Sequence, residues 1–290
     1  MNTKRLIGLT AAFGLAFAST APCRAENPFA RVAEALSRVV GMSEVMNLGD
    51  YDYEDGNSMF GVWLQKSQSH SLRSYFQKGQ TYLILAAGDS TIADLDLTVE
   101  TERHELVVKD TEPDPAAAVE FTAQQSGRLL LVLKNYESAT PGFAVMVVLR
   151  KSGTGRFALD EIGEALGRAL VLSRIASLAN AEFATGNFCL FGGRLTKGGS
   201  TYIYNVRLPQ GKYVLVSAGS ANVNDVDAQV IVQHRTGDPA GTVVAKDDEN
   251  APVAVCPFEA RADRDYRLEH RNYSTVTGGS GFVFSCLLRT

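Results

Sequence analysis

The sequence predicts a mainly β protein built as two tandem jelly-roll-like antiparallel β-sandwiches, each preceded by an amphipathic α-helix. Three observations predict it. Short runs rich in Val, Leu, Tyr and Phe alternate with Gly, Asn, Asp and Pro, the pattern of an antiparallel sandwich. These runs come in two copies along the chain. A helical periodicity stands ahead of each copy.

In the first copy the runs are MFGVWLQ, SLRSYF, TYLILAAG, DLDLTVE, ELVVKD, AVEFTA, RLLLVLKN and FAVMVVLR. Eight strands suit two packed sheets in a jelly-roll-like arrangement. The second copy follows at a constant step. GDSTIADLDLTV from Gly88 returns as GSANVNDVDAQV from Gly219, so Asp94 and Asp96 map onto Asp225 and Asp227, each 131 positions on. Phe60-Gly61 becomes Phe191-Gly192 at the same step, whereas Asn135-Tyr136 becomes Asn272-Tyr273 at 137, because the second copy carries the extra turn residues RTGDPAG.

The duplication includes the helices. AEALSRVV from Ala33 returns as GEALGRAL from Gly163, matching Glu34, Ala35, Leu36 and Arg38 at a step of 130. Pro28 suits a helix start after Asn27, and Phe29, Val32, Leu36 and Val39 recur at helical spacing. Asp160 and Glu161 suit the second start, ahead of Ile162, Leu166 and Leu170. Each apolar stripe is expected to cover its own sandwich or its twin. RKSGTGRF from Arg150 has the composition of a linker, which puts the boundary near Ser152 to Gly155. The expected organisation is a signal peptide over residues 1–25, one helix-plus-sandwich unit over 26–152 and a second over 153–290.

The leader is read from Lys4 and Arg5 ahead of an apolar run from Leu6 to Ala18 and a small-residue stretch ending at Ala25. The run is too short to span a bilayer, and no later segment is long enough, so no transmembrane segment is expected. The expected location is secreted or periplasmic. Cleavage removes Lys4, Arg5 and Arg24, taking the 28 basic side chains to 25 against 32 acidic ones, a net charge of −7. That balance argues against nucleic acid as a partner. Cys189, Cys256 and Cys286 remain after the leader, and in an oxidising compartment one disulfide is expected, with Cys189 and Cys286 in the first and last strands of the second copy as the favoured pair.

Strand alternation addresses the Asp-x-Asp runs. If Leu95, Leu97 and Val99 face the core, then Asp94, Asp96 and Thr98 face outward, and likewise Asp225, Asp227 and Gln229 in the second copy. Solvation of a carboxylate is far cheaper than its burial. Calcium, which takes oxygen ligands, is the possible cofactor at Asp94, Asp96, Asp225 and Asp227; the acidic stretches DYDYEDGN from Asp50 and KDTEPD from Lys109 are further candidates. Catalysis lacks its usual pattern. Only His70, His104, His234 and His270 are available as imidazoles, and no nucleophile elbow, zinc-protease helix or phosphate loop is present. No catalytic residue is expected.

The segments Gly79-Gln80-Thr81-Tyr82, Ala93-Asp94-Leu95-Asp96-Leu97, Val119-Glu120-Phe121-Thr122-Ala123, Ser126-Gly127 and Asn135-Tyr136 together resemble the bacterial pre-peptidase C-terminal domain. The likeness covers residues 58–150 and, in weaker form, 188–289. It departs from the family pattern at Thr98, where an aromatic often stands, and at Ala228, where a Leu would follow the Asp-x-Asp. The resemblance implies a jelly-roll-like, non-catalytic module of the kind found beside secreted proteases, some of which bind calcium or polymers such as collagen.

The expected function is therefore a secreted, non-catalytic binding module that recognises a protein or polysaccharide surface. One alternative is an envelope assembly protein that self-associates through its helices. Another is an unrecognised hydrolase. Exposed aromatics in a line favour glycan binding, an apolar helix face favours assembly, and His and acids converging in a cleft favour the enzyme.

Overall fold

The computed structural model describes residues 28–46, 48–152, 159–175, 181–233 and 241–290. The leader, most of the linker from residue 153, His234 and nearly all of the RTGDPAG turn lie outside the described residues.

The first unit begins with helix α1 (Pro28–Val45) and a short strand β1 (Tyr51–Tyr53). Eight strands follow: β2 (Met59–Leu64), β3 (Ser69–Phe76), β4 (Thr81–Gly88), β5 (Ile92–Thr101), β6 (Leu106–Asp110), β7 (Ala116–Thr122), β8 (Gly127–Ser138) and β9 (Gly142–Lys151). The second unit repeats the plan with α2 (Leu159–Ile175) and β10 (Glu182–Phe183). Its eight strands are β11 (Phe188–Thr196), β12 (Ser200–Arg207), β13 (Gly211–Gly219), β14 (Val223–Gln233), β15 (Thr242–Asp247), β16 (Val253–Ala260), β17 (Asp265–Thr275) and β18 (Ser280–Arg289).

Within the first unit the strands sort into β2-β9-β4-β7 and β3-β8-β5-β6, and within the second into β11-β18-β13-β16 and β12-β17-β14-β15. Apart from the β5–β6 and β14–β15 hairpins, successive strands cross between the two sheets, which is the winding of an eight-stranded jelly roll. Each sandwich is thus a jelly roll behind its own helix.

The two units share one sheet. β2 and β11 pair antiparallel, and this seam makes a continuous ten-stranded sheet with β1 on β9 and β10 on β18. Phe60 stands opposite its own repeat, Phe191, while Met59 pairs with Gly192 and Gly61 with Leu190. Equivalent residues therefore meet about a pseudo-two-fold axis. Antiparallel neighbours related in this way keep the same face up, so the axis is normal to the sheet. Both helices lie on one side and both four-stranded sheets on the other.

That layering explains the strand patterns. β4, β9, β13 and β18 are buried along nearly their whole length, because a helix covers one face and a four-stranded sheet the other. β5 alternates, because one of its faces meets solvent. The helices dock through the repeated apolar positions Val32, Ala35, Leu36 and Val39, matched by Ile162, Ala165, Leu166 and Ala169. The stripes that could have served self-association are covered by the protein's own sheet.

The matched polar residues fix the docking. Arg38 donates to the carbonyls of Gly88 and Asp89 at 3.0 and 3.2 Å and pairs with Glu34, which accepts from Ser90 Oγ. Arg168 donates likewise to Gly219 O at 3.1 Å and pairs with Glu164, which accepts from the Ala221 amide. The first unit adds a buried clamp. Asp89 is fully buried and accepts from Arg31 Nε at 2.7 Å, from Thr91 N and Oγ1, and from the Phe143 amide at 2.9 Å. Its repeat in the second unit is Ser220, whose hydroxyl meets the Phe282 amide.

The acidic stretch after β1 locks the seam. Asp52 and Asp55 pair with Arg194 of β11 at 3.0 and 3.4 Å, and the Gly56 and Ser58 amides donate to Arg194 O and Gly192 O. The crossing is tight. A Cβ on Gly193 would stand 1.9 Å from Gly56 O, and one on Gly61 2.5 Å from the Phe143 ring, so glycine is required at both places. Aromatic contacts repeat across the axis: Tyr53 meets Phe282, and its counterpart Phe183 meets Phe143.

The expected disulfide is not formed. Cys189, Cys256 and Cys286 are all buried thiols outside any disulfide, and Cys286 stands across from Leu190 instead of Cys189. Burial raises the Cys189 thiol well above its usual value and pushes Cys256 up to about 12. Neither is a ready nucleophile.

Two outcomes are expected. Asp89→Ala takes the buried carboxylate away from the largely covered Arg31 guanidinium and from the Thr91 and Phe143 amides, and urea unfolding should show a loss of about 3–5 kcal/mol. Thiol titration of the chain from residue 26 onward, unfolded without reductant, should count all three of these cysteines; a count of one would restore the bridge.

Candidate functional site

The three described imidazoles do not converge. His104, exposed and at a φ of 62°, pairs with Glu100 at 3.0 Å in a turn, whereas His70 points toward the core against Phe188. His270 is fully buried, with Nδ1 2.6 Å from Ser285 Oγ, which is in turn 2.6 Å from Ser217 Oγ. This Ser–His contact is sealed inside the second sandwich, where the ring stacks on Phe191. Its repeats in the first unit are Leu133, Met146 and Ala86, so the same space can be filled without polar groups. Burial lowers His270 to about 3.

The Asp-x-Asp strands follow the expected alternation only in part. Leu95, Leu97 and Val99 are buried, and Asp94 and Asp96 are half-buried on the outer face of β5. Asp227 is similar, but Asp225 is 6% exposed, which corrects the solvated position expected for it. Register shifts flank Asp225 and its repeat Asp94 alike and turn one carboxylate oxygen of each out of solvent, and the second unit covers its aspartate more fully. Desolvation and the neighbouring Asp96 raise Asp94, and desolvation and Asp225 raise Asp227. Among the described residues no three His, Cys, Asp or Glu side chains gather as a metal centre would. The calcium candidates stand as two separate pairs, one in each unit.

The other acidic stretches have structural work. Asp110 accepts from the Glu112 and Ala118 amides at 3.2 and 2.9 Å, and its repeat Asp247 accepts from Glu249 and Val255 at 3.1 and 2.7 Å. Each aspartate ties the turn after β6 or β15 to the edge of the next strand. This explains why KDTEPD and KDDEN are both acidic.

The outward faces of the four-stranded sheets carry a different constellation. Asp96 is the register partner of Lys134, whose ammonium lies 4.5 Å from the ring of exposed Tyr136. Asp227 is the register partner of Arg271, whose guanidinium lies 5.0 Å from the ring of exposed Tyr273. An acid, a cation and a tyrosine are thus duplicated on the same strands of both units.

The second unit extends this face. Tyr202 and Tyr204, two apart on β12, both point outward, with ring centroids 4.4 Å apart. Arg267 lies under them, 5.6 and 5.9 Å from the two rings, and pairs with Glu269 at 3.3 Å. Cation–ring contacts of this kind hold a tyrosine in place while leaving one side open. The sequence signals were Tyr202-x-Tyr204 and the repeated cation-Asn-Tyr, Lys134-Asn135-Tyr136 and Arg271-Asn272-Tyr273. Asn135 and Asn272 are buried and donate to Leu64 O and Leu195 O, which pins the strand so that the next residue points out.

No family model matches the chain, and no curated protein matches it. Among solved structures it is similar to PliG of Aeromonas hydrophila, a periplasmic inhibitor of g-type lysozyme, at 13% identity and a TM-score of 0.26, over 32% of this chain and 87% of that one. It is similar to the CBM22-1–CBM22-2 tandem domain of Xyn10C from Paenibacillus barcinonensis at 11% identity and a TM-score of 0.23, over 79% of this chain and 93% of that one. It is also similar to the major capsid protein P2 of bacteriophage PM2 at 12% identity and a TM-score of 0.21, over 80% of this chain and 97% of that one. At these scores the fold rests on the strand order itself. No helix among the described residues is long and apolar enough to cross a membrane.

One pH effect is expected from the core. The folded state keeps His270 neutral down to about 3, whereas the unfolded chain protonates it near 6.5. Its contribution to stability is present above the unfolded value and lost as pH falls toward the folded one. Urea midpoints at pH 7 and pH 4 should differ more in the wild type than in His270→Gln.

Proposed function

We propose that the protein is an exported, non-catalytic binding module that recognises a macromolecular surface through the outward faces of its two four-stranded sheets. The observation that carries this reading is the duplicated acid–cation–tyrosine arrangement, Asp96, Lys134 and Tyr136 in one unit and Asp227, Arg271 and Tyr273 in the other. Exposed tyrosines on a sheet face contribute little to folding, yet each provides a rigid, amphipathic contact at low entropic cost. Tyr and Arg are also the residue types that dominate binding hot spots.

The layering supports it. Helices cover one side of the ten-stranded sheet, so both tyrosine-bearing faces open to the other side and can meet one large partner together. Two weak sites on one chain then act with a raised effective concentration. The leader pattern in the sequence supports a module that works outside the cytoplasm, in the periplasm or beyond the cell.

The test is retention of the exported chain on insoluble cellulose, chitin, xylan and a collagen-coated matrix. The wild type should be held by at least one of these, and the Tyr136→Ala/Tyr273→Ala double variant should be held about tenfold less tightly. Equal retention of a folded double variant would remove these faces from the reading.

A further inference from the structure

We infer that the outer face of the β12-β17-β14-β15 sheet binds a neutral polysaccharide, with Tyr202, Tyr204 and Tyr273 as the platforms on which its sugar rings rest. This deepens the proposed function and rests on it. The argument begins with charge. Arg267 pairs with Glu269 at 3.3 Å, Arg207 with Asp265 at 3.0 Å, Lys246 with Asp248, and Arg271 stands across from Asp227. Every cation named on this face has its acid beside it. The face as a whole offers neither a polyanion nor a polycation a net field, although the protein carries an overall negative charge.

What remains for recognition is aromatic. Tyr202, Tyr204 and Tyr273 are 42, 45 and 51% exposed, and the first two flank the half-covered Arg267. A sugar ring presents an apolar C–H face and a polar rim, and a tyrosine held over a guanidinium presents an apolar ring with polar groups around it. The hydroxyls of the sugar can take the place of water around ion pairs that stay intact. A protein partner would instead have to dehydrate those pairs over about 800 Å² on each side, at a penalty that their attraction does not reliably repay. The open sheet face, several strands wide, also suits an extended chain better than a compact ligand.

The experiment is native electrophoresis of the exported chain in gels containing hydroxyethyl cellulose, arabinoxylan, galactomannan or pullulan. Retardation is expected in at least one, with little change when salt is raised, because no net charge is being screened. Tyr202→Ala/Tyr204→Ala should weaken it about tenfold or more, and Tyr202→Phe/Tyr204→Phe should keep most of it. If the β12 variant fails to fold by circular dichroism, Tyr273→Ala serves, with partial loss expected. Migration unchanged in all four gels overturns the inference, as does retardation that salt abolishes or that the alanine variants share with the wild type. Should the gels fail while tyrosine variants still lose retention on collagen, the polysaccharide is refuted and the binding face stands. Failure of both removes both.

Discussion

The β2–β11 seam is the constraint on which the rest of the structure depends. Strand pairing fixes the spacing of the two units, and the meeting of Phe60 with Phe191 sets the axis that relates them. Once that axis is normal to the sheet, the placement of every other layer follows. The helices share one side, the four-stranded sheets share the other, and the strands between them are buried on both faces. Gly61 and Gly192 let the layers close at the seam, and Arg194 holds the crossing segment against it.

Much of this was legible in the residues. The eight runs of the first copy correspond to β2 through β9, because alternation and turn residues are local signals. The repeat of Glu34 and Arg38 as Glu164 and Arg168 marked a shared helix, and the structure gives the reason: each pair ties its helix to the turn after β4 or β13. What the sequence hid was non-local. β1 and β10 are too short to show a period and exist because β9 and β18 run on beyond their pairing with β2 and β11. The acidic stretch around Asp52 read as a possible cation site, whereas its counter-ion is an arginine 142 positions away. Bulges at Asp94 and Asp225 break the alternation that a regular strand would give, and one step of register separated Cys189 from Cys286.

The tyrosine faces were visible only as landmarks. Asn135-Tyr136 and Asn272-Tyr273 marked the repeat, yet their meaning depends on which neighbour lies across the sheet. Register converts them into a constellation, since Lys134 and Arg271 fall opposite Asp96 and Asp227. The Asp-x-Asp runs are then partly explained. Their second aspartate balances the cation that steadies an exposed ring.

The copies have diverged where the interior allows it. The second unit buries Ser217, Ser285 and His270 in a space that Ala86, Met146 and Leu133 fill in the first, while the first adds the Arg31–Asp89 clamp that Ser220 replaces in the second. The seam keeps Phe60 as Phe191 and Gly61 as Gly192 while Val62 and Trp63 become Gly193 and Arg194, and its self-matching register reaches beyond architecture. Two separate copies joined at such an edge would come apart when diluted, because their association would depend on concentration. Covalent linkage makes the same contact intramolecular. The two units of one chain therefore keep their paired form at any dilution.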